Sequence, residues 1–417
     1  MSDIKIEQSP GDQNKYQLFT LENGIQVLLI QDNNAKTIGV VDQDLAMAYC
    51  SLVVNAGSFN NPSNRHGLAH FLEHMVFMGS EKYPDPSSYP EHIGTYGGYS
   101  NAYTQFECTT YTFNVTYGGL EKTLDYLASA VDKPVFDKSV VDREITAIEN
   151  EFQMMVSDDS TRMVQIAQEN TSDKNHLFNT FAWGNAKSLK YEGNDLVDEV
   201  REFFKQNYST DRMALVIQVK TIDDCVQLRG WVEQTFGQIK PSKLGIQDFS
   251  KFQKDGAAVG DAVGKLPFQG NEDEVIVMNS METTKMLHLL FTMPDDPERD
   301  IGGNLQILVS LLSHRGEGSL YDLLIQQNYI TEMDFDTVAE IWTLNRMVSL
   351  QLTLTDKGLN CRDKVLALIF EHLRRVREEW LADGKKIAFF EEMRLLNDAV
   401  WKIYAEQDKE EHLDRIA

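Results

Sequence analysis

The sequence predicts an α+β fold that is built twice, as two similar layers in which helices cover one face of a sheet. Two observations lead to this expectation. At 417 residues the chain is longer than one hydrophobic core usually organises. A series of strand and helix patterns stops at residues 240–271, which are rich in Gly, Ala, Ser and Lys, and a similar series then begins again. We therefore expect two homologous domains, at residues 1–260 and 261–417.

The first half opens with a predicted hairpin, because Asn23-Gly24 separates two apolar runs within residues 15–32. A further strand ends at Gly57, and a helix is predicted at about residues 65–78. Residues 79–93 contain three prolines and are predicted to form an ordered loop. The later predicted elements are a strand pair over 96–115, helices over 118–131 and 139–156, a strand over 211–220 and a helix over 222–239.

The second half repeats this alternation. Its predicted elements are strands over 273–280, 285–293 and 341–355 and helices over 304–313 and 361–382. Near the end of the chain, an apolar stripe at helical spacing is formed by Phe389, Met393, Leu396, Val400 and Ile403. No helix stop signal follows this stripe, so the second domain is expected to be incomplete, as part of a longer protein.

The charge balance narrows the classes of partner. The sequence has 39 Lys and Arg against 64 Asp and Glu, a net charge of −25 at pH 7. Such acidity disfavours binding to nucleic acid and to anionic lipid, and it favours cationic peptides as partners. The alternative, that the charge only keeps the protein in solution, stays open.

Cysteines and apolar runs disfavour several other classes. The four cysteines form no CxxC pair, so neither a disulfide framework nor a thiolate metal site is predicted. No apolar run approaches the roughly 20 residues that cross a bilayer. The polar N-terminus lacks the apolar segment of a secretory signal, which predicts a cytoplasmic protein, or a periplasmic one whose signal peptide has been removed.

Residues 70–74, in the order His-Phe-Leu-Glu-His, suggest a metal site. On a helix, His70 and His74 lie one turn apart and project from the same face, so both rings can reach one ion at about 2.0–2.1 Å. Glu73 lies beside them, close enough to act as a general base without binding the ion. The pattern also arises by chance, and a helix with two solvent-facing histidines is the alternative.

A catalytic zinc requires a third protein ligand, and the predicted helix at 139–156 offers candidates. Glu144 and Glu151 are seven residues apart and share one face, whereas Glu149 points elsewhere. One carboxylate could bind the ion while the other orients a histidine. Exposed charges unrelated to any metal are the alternative, because helices carry many of them.

Several stretches together give a specific resemblance. The sequence His70-Phe71-Leu72-Glu73-His74, followed 77 residues after His74 by Glu151, resembles the inverzincin peptidases of the pitrilysin family, in the branch of insulin-degrading enzyme and nardilysin. Residues 56–84, 96–115 and 311–324 resemble the same family, and the similarity extends over essentially the whole chain. It implies the fold of pitrilysin and mitochondrial processing peptidase, in which each domain is a mostly antiparallel sheet covered by helices.

The resemblance also implies the roles of individual residues. His70, His74 and Glu151 would bind one Zn²⁺ per chain. Glu73 would be the base that activates the attacking water and later protonates the leaving amine. Glu144 would hold one of the two histidines in place.

The same resemblance implies a substrate site. Residues 100–104 would form an edge strand to which an extended substrate adds as a further strand. Asn101 and Ala102 would contact the substrate backbone, and Phe77 and Tyr103 would line apolar pockets. For these two aromatic residues, an ordinary place in the core or the sheet is the alternative.

The second half departs from the pattern of the metal site. In its helix at residues 304–320 only His314 is available, so this half resembles the catalytically silent second domain of the family. Residues 331–348 lack the paired glycines that anchor a peptide in the insulin-degrading branch. Members of this branch have four such domains, and their C-terminal half contributes an Arg and a Tyr to the transition-state site. This chain is therefore expected to bind zinc but to cleave slowly alone, since lost oxyanion stabilisation costs about 10²–10³ in rate.

Three functions follow from these patterns. The first is a zinc endopeptidase that acts on short unstructured peptides, with a preference for basic residues near the cleaved bond. The second is a zinc-binding peptide-recognition or regulatory subunit that requires a complementary C-terminal half or a second subunit for catalysis. The third is a metal-free structural protein with a chance motif.

Overall fold

The computed structural model describes residue 6 and residues 8–33, 46–171, 176–189, 196–220, 225–247, 253–254, 257–258, 268, 275–294, 304–338, 345–380 and 385–403. The chain divides into two compact units. Unit 1 comprises Met1–Met155, Leu177–Ala258 and Ile403–Ala417, and unit 2 comprises Val156–His176 and Val259–Lys402. The boundary expected at residue 260 stays a prediction, and the linker expected around it lies largely outside the described residues.

Unit 1 contains a six-stranded sheet. Its strands are β1 (Lys15–Thr20), β2 (Gln26–Gln31), β3 (Met47–Val54), β4 (Tyr99–Thr104), β5 (Thr109–Thr116) and β6 (Met213–Val219). Their order across the sheet is β1-β2-β6-β3-β5-β4. Strands β2 and β6 run parallel, and every other neighbouring pair is antiparallel. The predicted hairpin is confirmed, with Gly24 at a φ of +104° in its turn.

Helices cover one face of this sheet. The α-helices of unit 1 are α1 (Leu68–Val76), α2 (Ser88–Thr95), α3 (Tyr117–Asp132), α4 (Val141–Met155), α6 (Ala186–Leu189), α7 (Leu196–Asn207) and α8 (Cys225–Gln234), and helix α5 (Asp159–Glu169) belongs to unit 2. Alternate residues of the strands, such as Leu52, Tyr111 and Phe113, join buried residues of the helices in one large core. Leu28, Ile30 and Val216 form a much smaller cluster on the other face.

Unit 2 contains a three-stranded antiparallel sheet. Its strands are β9 (Met286–Pro294), β10 (Ile330–Val338) and β11 (Asn345–Leu354), in the order β10-β11-β9. The two-residue strands β7 (Gln253–Lys254) and β8 (Ala257–Ala258), which belong to unit 1, pair separately. Besides α5, the described helices of unit 2 are α9 (Asn304–Leu312), α10 (Leu320–Gln326), α11 (Asp356–Asn360), α12 (Arg362–Arg375), a π-helical turn (Val376–Trp380) and α13 (Lys385–Ile403). Residues such as Leu350, Leu352, Val365 and Ile369 form the core.

Several predicted elements differ from the observed ones. The loop expected over 79–93 ends in helix α2, and β10 was not expected as a separate strand. Residues 275–280, the described part of a predicted strand, are irregular, while residues 273–274 lie outside the described residues. Among the described helices, none combines the length and apolar character that a membrane crossing requires. The mixed strand and helix architecture itself is as predicted.

Candidate metal centre

Helix α1 begins later than predicted because of the backbone at Gly67. This glycine has a φ of +85°, in the left-handed region, so the helix starts at Leu68. The side-chain oxygen of Asn61 accepts a hydrogen bond of 2.8 Å from the Ala69 N–H and so satisfies one donor of the first turn. Apolar residues of α1 such as Phe71 and Leu72 are fully buried, which leaves His70 and His74 on the opposite, half-buried side.

Helix α4 brings the predicted carboxylates to these histidines. Its residues Ile145 and Ile148 are buried in the core, and this packing orients the helix. Glu144 and Glu151, two turns apart, both point at α1, as their spacing predicts. Glu144 is buried, whereas the side chain of Glu151 is 41% exposed.

His70, His74 and Glu151 converge on one point. The Nε2 atom of His70 lies 3.4 Å from Oε2 of Glu151, and Nε2 of His74 lies 3.5 Å from Oε1 of the same residue. One potential ligand atom from each of the three lies within 4.8 Å of the other two. Two tetrahedral ligands, each about 2.0–2.1 Å from a zinc ion, would be about 3.4 Å apart. The donor set and its spacing therefore fit a zinc ion.

The other ring nitrogen of each histidine has its own acceptor. The Nδ1–H of His70 donates to the carbonyl oxygen of Trp183 at 2.9 Å, and the Nδ1–H of His74 donates to Oε2 of Glu144 at 3.3 Å. A carbonyl and a carboxylate only accept hydrogen bonds, so they fix the tautomers. Both Nε2 atoms are thereby left as the lone-pair nitrogens that can bind a metal.

The electrostatics of the site favour a cation. Burial raises the pKa of Glu144, but bonds from His74 and Arg143 lower it by more, so its pKa is below the usual range. The bond with His70 likewise holds the pKa of Glu151 low. Burial lowers the pKa of His70, yet Glu151, Glu73 and the Trp183 carbonyl together bring it above its ordinary value. These carboxylates therefore favour a positive charge among them.

Glu73 is a buried carboxylate, like Glu144 and unlike the partly exposed Glu151. It is 6% exposed, and its Oε2 accepts a hydrogen bond of 2.6 Å from the Thr104 hydroxyl. Burial raises the pKa of Glu73, although both histidines and Thr104 act in the opposite direction. A carboxylate with a raised pKa is suited to accept a proton near neutral pH.

The residues expected to contact substrate lie on or near β4, which is the outermost strand of its sheet within the described residues. Asn101 is exposed there, whereas Ala102 packs on the core and Tyr103 is half-buried. Phe77, just after α1, stacks on Tyr89 with ring centroids 5.6 Å apart. The edge position agrees with the expectation, and the substrate contacts of all four residues stay a prediction.

Two partners of the site escaped sequence reasoning. Thr104 was expected only as part of the substrate strand, yet its hydroxyl contacts Glu73. Trp183 acts through its backbone carbonyl, which has no side-chain signature in a sequence. Glu149, expected to point elsewhere, does so and accepts a bond from the Ala186 N–H at 2.9 Å.

Two family profiles and several known proteins match the chain. The profile described as Insulinase (Peptidase family M16) matches residues 40–182, and that described as Peptidase M16 inactive domain matches residues 195–383. The chain is 30% identical to the A-factor-processing enzyme of Saccharomyces cerevisiae over 94% of its own length and 35% of that protein. It is 29% identical to the insulin-degrading enzyme homolog of Dictyostelium discoideum, over 96% of this chain and 38% of that protein.

A solved structure is similar in fold. The crystal structure of pitrilysin matches 99% of this chain and 41% of the pitrilysin chain, with a TM-score of 0.82 and 25% identity. The chain thus spans well under half the length of each of these three proteins.

Proposed function

Because the chain belongs to the M16, or insulinase, family of peptidases, we propose that it is a zinc-dependent endopeptidase of short unstructured peptides. One observation carries the proposal. The Nε2 atoms of His70 and His74 and the carboxylate of Glu151 share one point, with the buried carboxylate of Glu73 on the same helix. In the proposed centre, His70, His74 and Glu151 hold one Zn²⁺.

The proposed chemistry divides between the ion and the chain. Bound zinc would polarise the scissile carbonyl and acidify a water molecule. Glu73 accepts the proton of the attacking water and delivers it to the leaving amine, a role that its buried, raised-pKa carboxyl suits. Glu144 keeps His74 in the tautomer that presents Nε2, and the Trp183 carbonyl does the same for His70.

The edge position of β4 supports an extended peptide as substrate. Among the described residues β4 is the outermost strand of its sheet, and an extended peptide can add to such an edge as a further strand. Main-chain hydrogen bonds of this type depend little on side chains, so cleavage of varied sequences is expected. Thr104 ends this strand and contacts Glu73, so a peptide added to β4 would lie beside the proposed base.

A second function is favoured by the lengths of the relatives. The chain covers 35% to 41% of the three proteins compared above. In this alternative, the chain binds zinc and peptide but requires a further polypeptide, either a complementary half or a second subunit, to complete catalysis.

One paired experiment tests the first function. Zinc content and cleavage of a fluorogenic peptide are measured for the wild-type chain, for Glu73→Gln, and for Glu202→Gln, an exposed carboxylate of α7 that serves as the control. We expect one zinc in all three, with cleavage lost only in Glu73→Gln. Cleavage retained in Glu73→Gln would contradict the proposed base, and a wild-type chain with zinc and bound peptide but no cleavage would favour the alternative.

A further inference from the structure

Residues 177–189, here called the clamp segment, contact both helices of the candidate metal centre. They lead into and include the short helix α6. On one side they contact residues 65–67, which immediately precede α1. On the other side they contact α4, the helix that supplies Glu144 and Glu151.

Hydrogen bonds attach the clamp segment to the start of α1. The hydroxyl of Ser188 donates to the carbonyl oxygen of His66 at 2.9 Å. Arg65, whose side chain is 1% exposed, donates to the carbonyl oxygen of Leu189. Because both bonds lie in a buried or half-buried setting, water competes with them poorly.

A contact between two glycines brings the clamp segment against α1. Gly67 and Gly184 have φ angles of +85° and +72°. A Cβ atom built on Gly67 would lie 2.4 Å from the Cα of Gly184, and one built on Gly184 would lie 2.6 Å from the Cα of Gly67. Neither position has room for a side chain, and this close approach is what allows the Trp183 carbonyl to reach Nδ1 of His70 at 2.9 Å.

The attachment to α4 uses a carboxylate that no step of the proposed chemistry requires. Oε2 of Glu149 accepts a hydrogen bond from the Ala186 N–H at 2.9 Å, and its Oε1 accepts one from the Gln153 side chain at 2.7 Å. The rings of Phe152 and Phe181 meet edge to face, with centroids 5.5 Å apart. Glu149 is two residues before Glu151, so the clamp segment is fastened close to that proposed ligand.

We propose that the clamp segment is the positioning element of the metal centre. Through the contact of Gly184 with Gly67 it aims His70, and through Glu149 it holds α4 at the matching distance. This inference rests on the proposed zinc site and adds positioning roles for Gly67, Gly184 and Glu149. These residues touch neither the ion nor the substrate, and they act through His70 and Glu151.

The test is the zinc dissociation constant, measured by competition with a chromophoric chelator. In Gly184→Ala the new methyl group pushes the Trp183 carbonyl away from His70, so we expect affinity to fall about 10- to 100-fold, as when other supports of a metal-binding histidine are lost. Gly245→Ala is the matched control, because Gly245 has a φ of +78° but nothing within 4 Å of its Cβ position. We expect it to bind zinc as the wild type does.

A second pair of variants keeps the test decisive if Gly184→Ala fails to fold. Glu149→Gln weakens the attachment to Ala186, and the expected result is a several-fold loss of zinc affinity. Glu202→Gln is its control. Within the described part of the chain, Glu202 accepts a hydrogen bond of 2.8 Å from the side chain of Gln206, and its hydrogen bonds stay on its own helix, α7. Each variant loses one negative charge, and the two charges lie at different distances from the metal site. Measurement in about 0.5 M salt screens the resulting difference in long-range attraction for zinc.

A spectroscopic reading separates misplacement of His70 from general destabilisation. The visible spectrum of the Co²⁺-substituted chain depends on the geometry of its ligands. It should change in Gly184→Ala and stay unchanged in Gly245→Ala.

Wild-type zinc affinity in both Gly184→Ala and Glu149→Gln, with His70→Ala unable to bind, would overturn the positioning role and leave the proposed function standing. Equal zinc binding by His70→Ala and the wild type, or no zinc in the wild type, would overturn both.

Discussion

Replacement of Thr104 by valine tests how the proposed base is held. Valine has nearly the shape of threonine but lacks the hydroxyl that donates to Oε2 of Glu73 at 2.6 Å. Glu73 is 6% exposed, so little water is available to replace this bond. The free carboxylate would then sample other rotamers and would be aligned for proton transfer in only part of the molecules.

The size of the effect follows from the type of bond. A hydrogen bond to a charged group contributes about 1.5–3 kcal/mol, and each 1.36 kcal/mol corresponds to about tenfold in rate. Burial raises the pKa of Glu73, and the Thr104 bond is one of the interactions that lower it. Loss of the Thr104 bond therefore raises the pKa of Glu73 further, and it increases the fraction of molecules in which Glu73 is protonated and inactive as a base. We expect kcat of Thr104→Val to fall about 10- to 100-fold, with zinc content unchanged.

The assay is steady-state cleavage of a fluorogenic peptide with zinc at saturation. Thr104→Ser keeps the hydroxyl and should retain kcat within a few-fold of the wild type. A kcat of Thr104→Val equal to that of the wild type, in a chain that Glu73→Gln inactivates, would refute the reasoning. A change confined to KM would instead assign Thr104 to substrate binding.

Three further predictions concern metal binding and stability. Glu144→Gln should weaken zinc binding about 10- to 100-fold in a chelator competition, because it replaces the anionic acceptor of the His74 bond; unchanged affinity would show that this bond does not matter. The pKa of His70 lies above its ordinary value of about 6.5, so a proton on this ring competes with zinc already at pH values above about 6.5. Zinc affinity should therefore fall as the pH is lowered through that raised pKa. A flat profile from pH 8 to 6 would contradict this. Arg65→Met should lower the free energy of unfolding, measured by urea titration, by about 3 kcal/mol, because it leaves the partner Glu199 unpaired in a partly buried place. Arg201 is exposed, so Arg201→Met should cost less than about 1 kcal/mol in the same titration.

Local signals in the sequence identified the elements that carry the site. Asn23-Gly24 located the first hairpin, and the four-residue spacing of His70 and His74 placed both rings on one face of α1. The seven-residue spacing of Glu144 and Glu151 placed both carboxylates on the face of α4 that meets α1. These rules succeed because helix and turn geometry relates residues that are close in sequence.

Long-range contacts were not accessible in the same way. The bond from Thr104 to Glu73 spans 31 residues and the bond from His70 to the Trp183 carbonyl spans 113, so no local periodicity reports either of them. The apolar run at 273–280 resembled a strand, yet Val275 is 80% exposed and no strand forms over its described residues. A strand requires a neighbouring partner, and the pattern of one segment does not reveal whether a partner is present.

The central claim is that two imidazoles of α1 and one carboxylate of α4 hold a single zinc ion. Anomalous diffraction at the zinc absorption edge, from crystals of the zinc-loaded chain, tests it most directly. The account predicts one zinc peak per chain, about 2.0–2.2 Å from Nε2 of His70, Nε2 of His74 and a carboxylate oxygen of Glu151. A zinc peak elsewhere, or a zinc ion that Glu151 does not touch, would contradict it.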